Sequence, residues 1–257
     1  ALETEVIFKF PLFNYKSITL MIIESLKNEK IKNLNRLITD NRFRKKSGIF
    51  VVEGKQENER ALQFGFENIE FYICENIFGI NHPEGKIHFV SSQVYEKIAY
   101  RGSSEGIIGI YKTKEFNLNE FSPEENASVI VVESVEKPGN LGAILRSCEA
   151  FGIDALIVTD TKVDFYNPNV LRSSVGCFFG MNVFSASNEE TLAFLQKNNF
   201  KIYTTFMDES AEDLYQKNFS EKSALFFGTE HSGLSDFWLN KGENILIPMA
   251  GTIDSLN

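Results

Sequence analysis

The sequence is poor in the residue types that cross-link a chain, bind metal ions or enter a membrane. Its 257 residues include 3 cysteines and 3 histidines, which are scattered along the chain. Cys74, Cys148 and Cys177 stand in apolar surroundings, which favours reduced core thiols over a disulfide framework. No apolar run approaches the roughly 20 residues that span a bilayer. These features predict a cytoplasmic protein with no metal site and no membrane partner.

The amino-terminal residues lack the features of a signal peptide. Residues 1–20 have no basic start, and Glu3, Glu5 and Pro11 interrupt their apolar character. A more regular pattern begins at Met21. We therefore interpret residues 1–20 as an extension with no role in the fold.

Basic residues are in the minority and are unevenly distributed. The formal net charge of -9 argues against a surface covered with phosphate-binding groups. A local patch is compatible with that charge, because binding depends on where the charges lie. The densest group of cations is Arg42, Arg44, Lys45 and Lys46, in a segment predicted to be a loop between a helix and a strand. These side chains are candidates for contacts with nucleic-acid phosphates, and the alternative is a solvated helix face.

Apolar periodicity and turn residues divide the chain into two α/β units. The first unit spans residues 21–112, a polar linker without periodicity spans 113–126, and the second unit spans 127–257. In the first unit we predict helix 22–38, strand 48–54, helix 58–64, strands 69–73 and 87–90, helix 91–98 and strand 107–111.

The second unit alternates strands with helices. Its first strand, residues 128–133, is a continuous apolar run suited to a sheet that is covered on both faces. Further strands are predicted at 155–158, 183–184, 201–205, 224–227 and 244–247, and helices at 140–151, 168–177, 189–198 and 236–240. This alternation predicts a parallel sheet with crossover helices.

Three segments that contain glycine follow strands of the second unit. The first glycine segment spans residues 136–146, the second 227–234 and the third 247–257. Each follows an apolar run, at the carboxyl edge where an α/β sheet binds its ligands. We therefore place the functional site of the chain at this edge.

The first glycine segment carries two polar candidates. Pro138 and Gly139 favour a turn, after which Asn140 is predicted to cap a helix. Arg146 lies off the apolar stripe of that helix, from where it could reach a phosphate or a developing oxyanion. The alternative is a surface arginine paired with Glu149 or with solvent.

The second and third glycine segments offer close backbone approach and small polar groups. Gly228 would let the backbone approach a ligand, and Glu230 could accept hydrogen bonds either from its own loop or from a ligand. In the third segment Pro248 ends a strand, and Ser255 and Asn257 supply uncharged polar side chains.

Together the three segments resemble the motifs of the SpoU/TrmH family of RNA 2′-O-ribose methyltransferases, within the SPOUT superfamily. The resemblance extends over roughly residues 32–257, since residues 44–60 look like the start of the family's substrate-binding domain. It implies a C-terminal α/β trefoil-knot methyltransferase domain and a smaller N-terminal α/β RNA-binding domain of the L30e-like type. It also implies a homodimer, an RNA partner (ribosomal or transfer RNA) and S-adenosyl-L-methionine as cofactor.

The resemblance also assigns roles to individual positions. The donor contacts would fall on Gly228, Ile247, Leu256, Thr205 and Met249. The catalytic polar groups would fall on Arg146, Asn140, Glu230, Ser255 and Asn257. The predicted RNA contacts are Arg172, in a segment that resembles another part of the family, and the basic group proposed above from its charge, Arg42, Arg44, Lys45 and Lys46. In the implied reaction a ribose 2′-hydroxyl attacks the methyl group of the donor. A guanidinium does not lose its proton in proteins, so Arg146 is assigned to charge stabilisation, and the general base stays open.

The sequence departs from the family pattern in three places. Lys137 stands where the family usually has Asp or Asn. His231 replaces a glycine, which would be unfavourable if that position needs a positive φ. The family continues with a helix beyond the position of Asn257, so we expect an incomplete donor site and dimer surface without that helix.

Two other functions compete with this prediction. One is an RNA-binding protein that retains the fold without catalysis, against which Arg146 and the Ser255-Leu256-Asn257 sequence argue. The other is a doubly wound nucleotide-binding enzyme, for which the sequence offers neither a G-x-G-x-x-G nor a Walker segment. A methyl-transfer assay on bulk RNA separates the first alternative from the prediction.

Overall fold

The computed structural model describes residues 21–99, 105–206, 208, 211–219 and 221–250. The predicted extension at residues 1–20 and the site residues Ser255, Leu256 and Asn257 lie outside the described residues. The chain divides into two compact units, with the boundary between Thr113 and Lys114. Within the described ranges, no helix combines the length and the apolar character needed to cross a membrane.

The N-terminal unit is a five-stranded sheet with helices. Its elements in chain order are β1 (Ile22–Ile23), α1 (Glu29–Thr39), α2 (Asn41–Ser47), β2 (Ile49–Glu53), α3 (Lys55–Gln63), β3 (Asn68–Ile73), α4 (Glu75–Phe78), β4 (Ile87–Val90), α5 (Ser92–Ile98) and β5 (Ile107–Lys112). The strand order is β1-β4-β3-β5-β2. β5 is antiparallel to both of its neighbours, whereas β1, β4 and β3 are parallel.

The helix predicted over residues 22–38 is wrong in its first part. Ile22 and Ile23 form β1, which pairs with β4, and α1 begins at Glu29. The Asn28 side chain accepts a hydrogen bond from the Lys30 amide and so caps the helix. The prediction rested on apolar spacing alone. Two adjacent apolar residues such as Ile22 and Ile23 are compatible with the spacing of a helix and with that of a strand.

The basic segment at residues 42–46 is a helix, whereas we predicted a loop. Asp40 caps α2 by accepting from the Phe43 amide, and Gly48 (φ 64°) ends it. This helix corrects the role of Arg44, which exposes 3% of its surface. Its Nη1 donates to the carbonyl oxygens of Leu37 (2.7 Å) and Ile38 (3.1 Å), in the last turn of α1. Arg44 therefore joins α1 to α2 and is not available for RNA.

The C-terminal unit is a seven-stranded sheet with helices. Its regular elements are β6 (Ser128–Glu133), α6 (Pro138–Ala150), β7 (Ala155–Thr159), α7 (Pro168–Ser173), β8 (Asn182–Ala186), α8 (Asn188–Lys197), β9 (Lys201–Thr204), β10 (Glu212–Asp213), β11 (Ser223–Phe227) and β12 (Glu243–Leu246). The strand order is β10-β12-β9-β11-β6-β7-β8, and every pair is parallel. The predicted α/β class and parallel sheet are confirmed.

Two of the predicted helices are shorter than expected, for local backbone reasons. α7 ends at Ser173, because Val175 (φ 53°) and Gly176 (φ 75°) turn the chain before a 3₁₀ helix at Cys177–Gly180. The last predicted helix is a single 3₁₀ turn at Asp236–Trp238.

The segment predicted as a linker packs on the C-terminal unit. Leu118 is buried in the core of that unit, and Phe116 and Phe121 pack against the same core. The rings of Phe121 and Phe184 lie 5.4 Å apart. The segment showed no regular apolar period because it is held by three separate apolar side chains and a 3₁₀ turn at Leu118–Glu120.

All three cysteines are free and buried, as predicted. Burial raises the pKa of the Cys148 thiol to about 12, so this sulfur is a protonated core atom at neutral pH.

The strand order places one topological switch point at the centre of the C-terminal unit. From β6 the chain proceeds through β7 to β8 at one edge, then crosses over to β9, and β11 later inserts between β9 and β6. Connections leave β6 and β11 in opposite directions, and the carboxyl ends of strands at such a point are where α/β sheets bind ligands. The first and second glycine segments leave the sheet at these two strands.

Candidate active site

The first and second glycine segments meet at the carboxyl edge of the sheet. β6 and β11 are paired in parallel with Val132 opposite Phe227, so both chains leave the sheet side by side. Lys137 Nζ donates to Glu230 Oε2 at 3.1 Å and so joins the two segments. Lys137, which differs from the usual family residue at this position, thus has an ion-pair partner in the second segment.

The predicted catalytic carboxylate is paired with a cation. The hydrogen bond and charge of Lys137 hold the pKa of Glu230 below its usual value, and an exposed carboxylate accepts hydrogen bonds at neutral pH with or without such a partner. Both side chains are largely exposed, at 66% and 48%. An ion pair this exposed contributes little to the stability of the fold. What the pair does is hold the Lys137 and Glu230 side chains together at the edge of the sheet.

Asn140 does not cap the helix of the first segment, contrary to the prediction. α6 begins two residues earlier, at Pro138, and Lys137 occupies the cap position without a side-chain hydrogen bond. Proline suits the first helical position because it has no N–H to leave unpaired. Asn140 lies in the first turn, half-buried, and its side chain has no hydrogen bond to the described residues. Its amide is therefore available at the edge where the two segments meet.

Arg146 projects from the exposed side of α6. The helix buries Leu141, Leu145 and Cys148 on the opposite stripe. Within the described part of the chain Arg146 forms no ion pair, and the proposed alternative partner Glu149 instead accepts from the Cys177 thiol at 2.6 Å. The guanidinium is therefore open to a ligand.

The helix of the first glycine segment, α6, packs closely against α7. A Cβ atom on Gly142 would overlap the hydroxyl and Cβ of Ser173, so glycine is what lets α6 approach α7. Arg172, a predicted RNA contact, lies in the last turn of α7 beside Ser173. Thus Arg172 and the first glycine segment belong to one packed pair of helices.

The second glycine segment folds into a closed loop. The Thr229 amide donates to the Gly233 carbonyl (2.9 Å), and the Gly233 amide donates back to the Thr229 carbonyl (3.1 Å). A Cβ atom on Gly228 would overlap the backbone of Gly233 and Leu234. Gly228 is therefore required by the folding of the loop itself. We had predicted that glycine stands here so that the backbone could approach a ligand.

The expected difficulty at His231 does not arise. The left-handed conformation in this loop falls on Gly233 (φ 66°), and His231 does not have a positive φ. The loop can therefore carry a side chain at position 231 without strain.

The remaining described donor candidates lie along the same edge. Thr205 follows β9, and its hydroxyl donates to the Phe226 carbonyl at 2.7 Å, which ties the end of β9 to β11. Ile247 and Met249 follow β12 and are half-buried. Because β12, β9 and β11 are neighbours, Thr205, Gly228, Ile247 and Met249 all lie at the carboxyl ends of three adjacent strands.

A buried polar cluster at this edge was not predicted from the sequence. Glu133 ends β6 and exposes 3% of its surface. Its carboxylate accepts hydrogen bonds from the Ser235 amide, the Ser235 hydroxyl and the Asn188 side chain. A charged residue closing an otherwise apolar strand was the available signal.

The switch point of this parallel sheet, with polar side chains of the first and second glycine segments at its carboxyl ends, is the place where α/β proteins bind their ligands. A model of the SpoU rRNA Methylase family matches residues 127–257, and a model of the MRM3-like substrate binding domain matches residues 28–109. The chain therefore belongs to the SpoU rRNA methylase family.

Known proteins resemble the chain over nearly its whole length. A crystal structure of an RNA 2′-O ribose methyltransferase is 34% identical, covers 92% of this chain and 93% of its own, and superposes with a TM-score of 0.83. The 23S rRNA (guanosine(2553)-2′-O)-methyltransferase RlmP of Bacillus subtilis is 28% identical over 91% of this chain and 93% of its own length. An AdoMet-bound rRNA methyltransferase from Sinorhizobium meliloti, 24% identical with a TM-score of 0.81 over 93% of this chain and 92% of its own, shares the fold.

Proposed function

We propose that this protein transfers the methyl group of S-adenosyl-L-methionine to the 2′-hydroxyl of a ribose in structured RNA, ribosomal or transfer RNA. The observation that carries the proposal is the junction of the first and second glycine segments, with Arg146, Asn140 and Glu230 on chain segments that leave neighbouring strands. Family membership and the relatives named above support the reaction class. A non-catalytic RNA-binding protein could also use an exposed Arg146 for a phosphate contact, so methyl transfer itself is what separates the two functions.

The residues at the strand ends suit the proposed donor. Ile247 and Met249 offer half-buried apolar surface for an adenine ring, and the ends of β9, β11 and β12 offer backbone groups at the sheet edge. With Gly228, Thr205 and Leu256, these residues would hold S-adenosyl-L-methionine. Once bound, the donor supplies an electrophilic methyl group on a sulfonium sulfur.

The polar residues would then position and stabilise the ribose. Arg146 carries a permanent charge and would hold a phosphate while it stabilises negative charge on the attacking oxygen. Glu230, which is paired with Lys137, and the amide of Asn140 would orient the nucleotide. Ser255 and Asn257 of the third segment would complete the set. Much of the acceleration would come from proximity of the two reactants.

Each unit would have its own task. Residues 21–112 would bind the RNA substrate as an L30e-like domain, and residues 127–257 would form the methyltransferase domain with a trefoil knot, against which the segment after Thr113 packs. We propose a homodimer because the resemblance to the family implies one. We place the protein in the cytoplasm, with the RNA.

The direct test is methyl transfer with the full chain. Tritium-labelled S-adenosyl-L-methionine and RNA transcribed without modifications are incubated with the protein, and acid-precipitable label is counted. Label in RNA that depends on the protein supports the proposal. Tight RNA binding without any transfer would instead favour the non-catalytic alternative.

Exposed cations on α2 are expected to contribute to RNA binding. Arg42, Lys45 and Lys46 are exposed on this helix, whereas Arg44 is excluded by its burial. Reversing Lys45 to Glu should weaken binding and reduce the slope of log K against log salt by about one, because one phosphate contact is lost. The measurement is a salt series of RNA binding by filter retention.

The matched control is Lys97→Glu, the same charge change at the exposed end of α5 in the same unit. If Lys45→Glu and Lys97→Glu weaken RNA binding equally, the cations of α2 act only through the net charge of the protein and do not form a specific RNA contact.

A further inference from the structure

Glu133 is a buried carboxylate at the centre of the sheet edge. Oε2 accepts from the Ser235 amide at 2.7 Å, and Oε1 accepts from the Ser235 hydroxyl at 2.7 Å and from Asn188 Nδ2 at 2.8 Å. Among the described residues no cation pairs with it. Removing a carboxylate from water is costly, and here three hydrogen bonds are what offset that cost.

The partner Ser235 stands directly after the second glycine segment. It follows Leu234, which is buried, and precedes the 3₁₀ turn at Asp236–Trp238. Trp238 is fully buried, with its ring 4.3 Å from that of Phe226 in β11. The loop at residues 228–234 is thus held at its beginning by β11 and at its end by Ser235 and Trp238.

The partner Asn188 connects the same carboxylate to the other side of the switch point. It is the first residue of α8, and its Nδ2 also lies 3.3 Å from Asp160 Oδ2 in the turn that follows β7. The amino-terminal end of a helix favours negative charge nearby, which suits a carboxylate at this place. Glu133 therefore receives donors from both flanks of β6.

We infer that Glu133 is a positioning residue: it holds the end of the second glycine segment against β6, and through that loop it sets the places of Gly228 and Glu230. The inference rests on the proposed function for its effect on catalysis. Its structural part, the attachment of residues 228–234 to β6, is independent of any ligand.

Three variants separate this role from a loss of folding. Glu133→Ala removes both acceptor oxygens and with them all three hydrogen bonds. Glu133→Gln keeps the shape and one acceptor, which can serve the Ser235 amide if the Ser235 hydroxyl and the Asn188 amide reorient. Ser235→Ala removes one hydrogen bond of the three. The control is Ser223→Ala, which also removes one side-chain hydrogen bond (to Glu221, 2.7 Å) but at the opposite end of β11.

The first arm measures amide hydrogen exchange without ligand. Glu133→Ala should speed exchange of the Thr229 and Gly233 amides by on the order of tenfold or more, since hydrogen bonds to charged groups are the strong ones. Glu133→Gln should fall between Ala and the natural residue, and Ser223→Ala should leave this loop unchanged. If Glu133→Ala does not fold, Ser235→Ala and Glu133→Gln give the answer. Unchanged exchange in residues 228–234 for the folded variants overturns the inference.

The second arm measures donor affinity and turnover. Loosening the loop should raise the Kd for S-adenosyl-L-methionine by about tenfold in Glu133→Ala, with partial rescue in Glu133→Gln. A residue that only stabilises the fold would lower the active fraction and leave the Kd of the folded molecules unchanged, which would overturn the positioning role. If the natural protein itself neither binds the donor nor transfers methyl groups, the proposed function fails, and the exchange arm still decides whether Glu133 holds the loop.

Discussion

Replacing Arg146 with alanine is expected to lower kcat for methyl transfer by on the order of 100-fold or more, as loss of one electrostatic contact in a transition state typically does. The guanidinium is exposed on α6 and has no ion-pair partner in the described residues, so its removal leaves no buried group unpaired. The donor candidates lie instead at the ends of β9, β11 and β12. Donor affinity should therefore stay nearly unchanged, and calorimetry together with steady-state kinetics measures the two quantities separately.

Two neighbouring changes serve as controls for Arg146→Ala. Ser147→Ala alters the next exposed residue of α6, whose hydroxyl only donates to the Ala143 carbonyl, and should keep near-normal turnover. Arg146→Lys keeps the charge but not the planar pair of donors, so its kcat should lie between the two. Near-normal kcat in Arg146→Ala, or an equal loss in Ser147→Ala, would remove Arg146 from the site.

Replacing Gly228 with alanine is expected to disrupt the second glycine segment. The added Cβ would overlap the backbone of Gly233 and Leu234, which cannot move without breaking the Thr229–Gly233 hydrogen bonds. Such overpacking typically costs about 1–3 kcal/mol of stability. Gly228 is a donor candidate, and its displacement with the loop should raise the Kd for S-adenosyl-L-methionine of the folded protein by on the order of tenfold, the change that about 1.4 kcal/mol of lost binding free energy produces. Chemical denaturation and donor titration give the two values.

The matched control is Gly139→Ala in the first turn of α6. There the added Cβ would meet only Asn169 Nδ2 at 3.7 Å, an ordinary contact, and alanine is the better helix former. Stability and donor affinity should stay at or above the natural values. If Gly228→Ala is as well tolerated as Gly139→Ala, the closed loop is not what positions the second segment.

The elements predicted correctly are those in which the local apolar pattern and the final packing point to the same structure. Residues 129–132 of β6 form an apolar run and lie in an inner strand of the sheet, and the glycine segments follow β6, β11 and β12 as expected. Parallel order then brings the first two segments together, because their strands are neighbours. These predictions needed only local pattern and the general rule for ligand sites in parallel sheets.

The predictions that failed depend on contacts between distant residues. A run of four cations looked solvent-exposed as a group, yet the helical turn of α2 directs Arg44 onto the carbonyls of α1. Asn140 looked like a cap, but Pro138 started the helix earlier. Glu133 was passed over because its donors, Asn188 and Ser235, lie 55 and 102 residues further along the chain. Pattern within a short window does not contain this information.

The central claim is that the methyl group goes to a ribose 2′-oxygen, and alkaline hydrolysis of the labelled RNA tests it most directly. A free 2′-hydroxyl is required for alkali to cleave the adjacent phosphodiester, so a 2′-O-methylated nucleotide survives within a dinucleotide. RNA labelled by this protein from tritiated S-adenosyl-L-methionine should yield its label in alkali-resistant dinucleotides, and Arg146→Ala should yield almost none. Label recovered in mononucleotides would place the methyl group on a base and contradict the account.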